Sequence, residues 1–133
     1  MRRLSRRRDE RGAMAIEFLL TITMLIVVFL VMLQYAVKAH AQRIATAAAE
    51  EALAATSSYD GTTADGQSAA NDYLTNLGPG LANSSVSVTR TASTATVTIT
   101  GDVDQLIPFL PVTVSVHVEG PIERFVPTAQ GTP

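Results

Sequence analysis

Residues 13–56 read AMAIEFLLTITMLIVVFLVMLQYAVKAHAQRIATAAAEEALAAT, and how this stretch divides decides the fold. From Ala13 to Val37 the only charged side chain is Glu17. A helix of that length extends roughly 37 Å, enough to cross a hydrocarbon layer of about 30 Å with some tilt. The helical character does not stop where the apolar character does. Lys38 to Thr56 is alanine-rich and contains neither glycine nor proline, so helix propensity stays high throughout. One helix from Ala13 to about Thr56 would be roughly 66 Å long, half in lipid and half projecting as a stem. In the projecting half Val37, Ala41, Ile44, Ala48 and Ala52 fall at three- and four-residue spacing, with Lys38, Gln42, Thr46 and Glu50 elsewhere. A stripe of such small side chains lets a sheet or second helix approach closely.

Upstream of this stretch the charge is lopsided. The net charge of -2 combines an N-terminal segment, residues 1–12, that holds six arginines against Asp9 and Glu10, with a remainder that holds four basic and ten acidic side chains. Arginines directly before an apolar run determine membrane orientation and do not suggest a nucleic-acid partner. They place residues 1–12 in the cytoplasm, 13–37 across the membrane as a single pass, and everything beyond outside it. Gln34 and Tyr35 suit the polar and aromatic belt at the far interface.

Three fates are open to such an N-terminus. A secretory signal peptide has a small-x-small site available at Ala39-His40-Ala41, but the apolar run exceeds the usual length of about 7–15 residues, and Lys38 and His40 crowd the site. An uncut signal anchor leaves Gly12 and Glu17 unexplained. A prepilin-type leader, cut on the cytoplasmic side, accounts for both. Gly12 followed by Ala13-Met14-Ala15-Ile16-Glu17-Phe18 matches the prepilin peptidase pattern, a glycine at the cleavage point and a glutamate as fifth residue of the mature chain. RGAMAIEFLL resembles the N-terminus of the TadE-like minor pilins or pseudopilins of tight-adherence (Flp) pilus systems. The resemblance is strong from Arg11 to about Val37. It extends more loosely to ATVTITGDVDQLIPFLPVTVSVHVEG, residues 95–120, whose valine–threonine alternation is split by a leucine-proline turn.

That resemblance implies a pilin-like subunit with Arg11, Gly12 and Ala13 as the leader-cleavage residues and Glu17 and Phe18 as assembly and registry residues. It implies as partners the membrane, prepilin peptidase, other pilin or pseudopilin subunits and the pilus assembly platform, with incorporation into a pilus. The chain departs from the family in having no proline a turn or two beyond the glutamate, only Thr21 and Thr23, and in offering Ala13 rather than phenylalanine as the first mature residue. Physical chemistry gives Glu17 a reason to exist. A carboxylate at the middle of a membrane helix costs roughly 2.5–3.5 kcal/mol, less near an interface, and such groups have partners. Cleavage after Gly12 would create one, the α-amine of Ala13, which a neighbouring subunit staggered by about one turn could bring to Glu17.

Beyond the stem, Ser57 to Gly66 has the composition of a loop. Gln67 to Leu77 predicts a short helix with Asp65 as N-cap and Gly78-Pro79-Gly80 as stop. The period then changes to two. Val86 and Val88, then Val97 and Ile99, then Val112, Val114, Val116 and Val118 alternate with hydroxyl or polar residues, which predicts three strands with one face covered. The tail after Pro121, with Pro127 and Gly131, is expected to be loosely held. Residues 57–133 offer only Tyr59, Tyr73, Phe109 and Phe125 as aromatic ballast, so the stem must supply the sheet's cover. The fold class is therefore α+β: a long N-terminal transmembrane helix continuing into a stem that packs on a small antiparallel sheet, with residues 57–133 as the extracytoplasmic head.

Chemistry of other kinds is poorly supplied. There are no cysteines, and His40 and His117 belong to different elements, which leaves little for a metal site or catalytic dyad. His117 is expected exposed on a strand's polar face. Asn83-Ser84-Ser85 reads as a turn, and the arginines at 6–8 lack the apolar residues of a twin-arginine signal. No phosphate loop, nucleophile elbow or carboxylate pair is evident, so neither an enzyme nor a cofactor is expected. The competing reading is a secreted or signal-anchored binding domain that meets an outside ligand through its serine and threonine surface.

Overall fold

The computed structural model describes residues 3–77 and 80–124, with side chains from residue 10 onward. The Gly78-Pro79 helix stop, the tail from Phe125 with Pro127 and Gly131, and the side chains of the arginines at 2–8 lie outside the described residues. Five elements follow in order: α1 (Arg3–Ser57), α2 (Thr63–Leu77), β1 (Leu81–Arg90), β2 (Thr94–Val103) and β3 (Val112–Pro121). The architecture is α+β, a long apolar helix, a short helix and a three-stranded antiparallel meander of order β1-β2-β3.

α1 is one uninterrupted helix. Thr21 and Thr23 leave it continuous, each hydroxyl donating to the carbonyl one turn back, Glu17 O at 2.9 Å and Leu19 O at 2.8 Å. The helix begins earlier than the apolar run, so the basic segment and Gly12 continue it. Its end is held from outside. No basic residue lies in its last turn, and Arg90 of β1 supplies the missing cation, its Nη1 donating to Thr56 O at 2.8 Å. Glu123 N donates to Ser57 O and Ile122 N to Ser93 O, while Arg124 Nη2 reaches Ala92 O at 2.7 Å. Residues 122–124, expected to hang loosely, are thus fastened to the end of α1 and to the β1–β2 turn.

The sequence reading is corrected at three local points. Helix α2 starts at Thr63 rather than Gln67, and its N-cap is Thr62. Asp65 N donates to Thr62 Oγ1 at 3.2 Å while Thr62 N donates to Asp65 Oδ2 at 2.9 Å, so Asp65 is the reciprocal partner of a capping box. Asn83 is no turn: it sits in β1 at φ 49°, where the register slips between Ala82 and Ser85, and donates from Nδ2 to Asp102 Oδ2 across the bulge.

The core lies between the helices and one face of the sheet. The rows Val88-Val97-Val118 and Val86-Ile99-Val116 pair directly across the strands. Against them α1 presents Ala41, Ala45, Ala48, Ala49 and Ala52, all buried, with Val37 and Ile44 half-buried beside them. Ala45 and Ala49 join the predicted stripe because it is wider than a single row, covering two helical positions per turn. Helix α2 packs on α1 and β1. Its Gly66 marks the closest approach: a Cβ there would fall on the Thr56 hydroxyl and 2.9 Å from Ala52 O. The opposite face of the sheet carries Ser87, Thr100, Ser115, His117 and Glu119, all exposed.

Candidate functional site

Arg11, Gly12, Ala13, Glu17 and Phe18 lie on consecutive turns of α1, all exposed. Gly12 is helical, whereas a protease would need it extended. Unwinding is cheap here, since glycine is about 1 kcal/mol poorer than alanine in a helix, and nothing approaches a Cβ built at Gly12 within 4 Å. Ala13 and Glu17 are four residues apart and therefore share one helix face. Phe18 points elsewhere by the same geometry, since neighbouring residues lie about 100° apart.

The apolar segment beyond them is bare. None of its most apolar window is buried against protein, and Leu25, at 63 % exposure, is typical of its large side chains. A single-chain surface of this kind is stable only where lipid or another subunit covers it. A membrane span is what its length and composition fit.

The span meets the head at a residue assigned above only to the interfacial belt. Gln34 is 4 % exposed. Its Nε2 donates to Asp104 O at 3.3 Å and its Oε1 accepts from Leu106 N at 2.7 Å, so both ends of the amide grip the β2–β3 loop. Cover over α1 therefore begins at Gln34, before the stem was expected to start. Ala13 to Gln34 is roughly 32 Å along the helix, close to the thickness of a hydrocarbon layer. The signal in sequence is a lone amide at the end of an apolar run, equally the signature of an ordinary interfacial residue, so only its partner 70 residues away distinguishes the two.

His117 lies exposed on the outer face of β3, its Nδ1 3.1 Å from Thr98 Oγ1, and His40 lies exposed on α1. Among the described residues no group of histidines and carboxylates is placed to hold a metal ion. Among the described residues the Asp65 carboxyl is held below its ordinary range, by hydrogen bonds from the Thr62 side chain first and the Thr62 backbone second.

No curated protein and no solved structure matches the chain. Residues 12–53 match the family model described as TadE-like protein, a match that opens on Gly12 and closes on the covered stem.

Proposed function

We propose that the chain is a minor pilin or pseudopilin of a tight-adherence pilus machine, a structural subunit cut by prepilin peptidase after Gly12 and then held in register by Glu17. The observation that carries this reading is the single helix α1, bare over its apolar half and built into the head's core over the other. The family match starting at the expected cleavage residue supports it. Cleavage there removes the arginine cluster and leaves the anchor intact. It also places a new α-amine on the same helix face as Glu17, at a depth where each charge needs a partner. A neighbouring subunit displaced by about one turn offers its amine to this carboxylate, and the head remains outside the membrane throughout.

Secretion by cleavage after Ala41 is disfavoured on packing grounds. Ala41 is 3 % exposed, and a cut there would discard Gln34 and Val37, which the head uses.

The test is the intact mass of the mature protein from a host with prepilin peptidase. The expected chain begins at Ala13; one beginning at Gln42 or Met1 would overturn the assignment. Glu17→Gln and Glu17→Leu should both be cut and inserted yet assemble poorly. Wild-type assembly by Glu17→Leu would remove the registry role, since leucine inserts at least as well but cannot meet an amine.

A further inference from the structure

The β2–β3 loop, residues 104–111, reads DQLIPFLP and displays its apolar side chains outward. Phe109 is 98 % exposed, with Leu106 and Leu110 also exposed. Phe109 adopts φ 69°, in the left-handed region that a bulky residue rarely occupies. Among the described residues nothing in the head gains from this arrangement, because the ring makes no buried contact. The loop is nevertheless fixed: Gln34 grips the chain at Asp104 O and Leu106 N, and Leu110 N donates to Ile107 O to close the turn. An exposed aromatic on a loop held by part-buried polar bonds is a presented group.

What it is presented to follows from its height. Gln34 lies where a bilayer-spanning α1 leaves the hydrocarbon, and Lys38, roughly 6 Å farther along the axis, brings an ammonium to the level of the lipid phosphates. Between α1 (Val31, Tyr35, Lys38) and the loop (Ile107, Leu110, Pro111) runs an open cleft of about 390 Å³ with mostly apolar walls. The loop's exposed apolar surface therefore continues the bare surface of the span at the same border.

We propose that the β2–β3 loop is a second membrane contact, which seats Phe109 and Leu110 in the interfacial layer of the leaflet on the head's side while Lys38 meets lipid phosphate. This rests on the reading of residues 13–37 as a membrane span. The loop enters as a shallow wedge, on the scale of the 5–10 Å that interfacial apolar groups reach. Two attachments fix the head's tilt and rotation against the bilayer, which a lone helix does not. A subunit leaving the membrane must withdraw the wedge as well as the helix.

The chain contains no tryptophan, so one substitution makes a clean depth probe. Full-length Phe109→Trp and, separately, Phe29→Trp are reconstituted in phosphatidylethanolamine/phosphatidylglycerol vesicles carrying lipids brominated near the headgroup end of the acyl chain. The expected result is a blue-shifted Phe109→Trp emission, quenched to within about twofold of the Phe29→Trp signal. Because the native ring is exposed, the substitution leaves the fold undisturbed. Adding Gln34→Leu to Phe109→Trp should weaken the quenching, since the loop loses its clamp. Quenching of Phe29→Trp without quenching of Phe109→Trp would overturn the wedge and leave the span standing. Absence of quenching in both would overturn span and wedge together. A blue-shifted but unquenched Phe109→Trp whose shift fades on dilution in lipid would assign the loop to a second copy of the chain, and overturn the lipid proposal.

Discussion

The two halves of α1 share one continuous backbone and solve opposite problems. From Met14 to Leu33 its surface is built of leucine, isoleucine, valine, phenylalanine and methionine, and almost all of it is bare. From Ala41 to Thr56 the side chains facing the sheet and α2 are mostly alanine and are almost completely buried. Hydrophobicity alone would have placed the first half in the core. Size explains the inversion. A helix that must come close to a sheet and another helix uses side chains that let backbones approach, whereas one surrounded by fluid chains gains from bulk and pays nothing for irregular shape. Which half is covered is legible from side-chain volume, and the covered half is the one the head cannot do without.

The largest effect that could break this contrast comes from removing the stem. A chain of residues 57–133 keeps all three strands, yet Val97, Ile99, Val114 and Val116, buried in the whole molecule, would face water. At about 1.5–3 kcal/mol for each aliphatic side chain left exposed, the loss exceeds what a head of this size can hold in reserve. The fragment should give collapsed amide dispersion and unfold without cooperativity. A well-dispersed spectrum and a sharp urea transition would show that the sheet does not need the helix.

Smaller changes sharpen the same contrast within the full chain. Ala48 is 0 % exposed, so Ala48→Leu should destabilise the head by about 1–3 kcal/mol through overpacking. Leu25→Ala removes far more apolar surface but from the bare half, and should leave the head unchanged. Head unfolding in urea, followed at the Ile99 amide in lipid nanodiscs, compares the two. Equal shifts would erase the distinction between the halves. Gly66→Ala should fall in the range of Ala48→Leu even though alanine is the better helix former by about 1 kcal/mol. Thr56→Ala would rescue it only in part, because the Ala52 carbonyl still stands 2.9 Å from the new Cβ.

Much of this was readable from the chain. Periodicity separated helix from strand, and the Val86, Val97 and Val112 runs became β1, β2 and β3, because a half-covered strand has to alternate. Gly12 and Glu17 stood out because spacing is a property of sequence. Contacts formed by distant residues left no such mark. Gln34 on the β2–β3 loop and Arg90 on the end of α1 are single polar residues whose meaning depends on carbonyls 70 and 34 positions away. The start of α2 was misplaced for a local reason: Thr62 and Asp65 both have cap chemistry, and composition does not say which is cap and which is partner. Asn83 misled similarly, since the side chain that favours turns also favours the left-handed residue of a bulge.

The smallest expected effect concerns that capping box, which belongs to the head and owes nothing to the membrane half. Asp65 is fully exposed, and its folded-state carboxyl titrates below the ordinary value of 3.8 because the Thr62 hydroxyl and then the Thr62 amide hydrogen-bond to the ionised form. A depressed folded value means that the unfolded chain takes up the proton first as pH falls. The contribution is therefore complete at neutral pH and persists down to the unfolded value near 3.8. Below that it declines, disappearing as the folded carboxyl itself protonates. Water screens an exposed pair of this kind, so the change should be small beside those at Ala48 and Gly66. Thr62→Ala removes the cap and should cost about 1 kcal/mol at neutral pH, whereas Asp65→Asn should mainly flatten the acid limb of the stability curve. The measurement is a carboxyl-carbon titration of Asp65 alongside head stability at several acidic pH values. A midpoint at or above 3.8 would show that the Thr62 bonds do not favour the ionised form, and would leave the start of α2 without its electrostatic part.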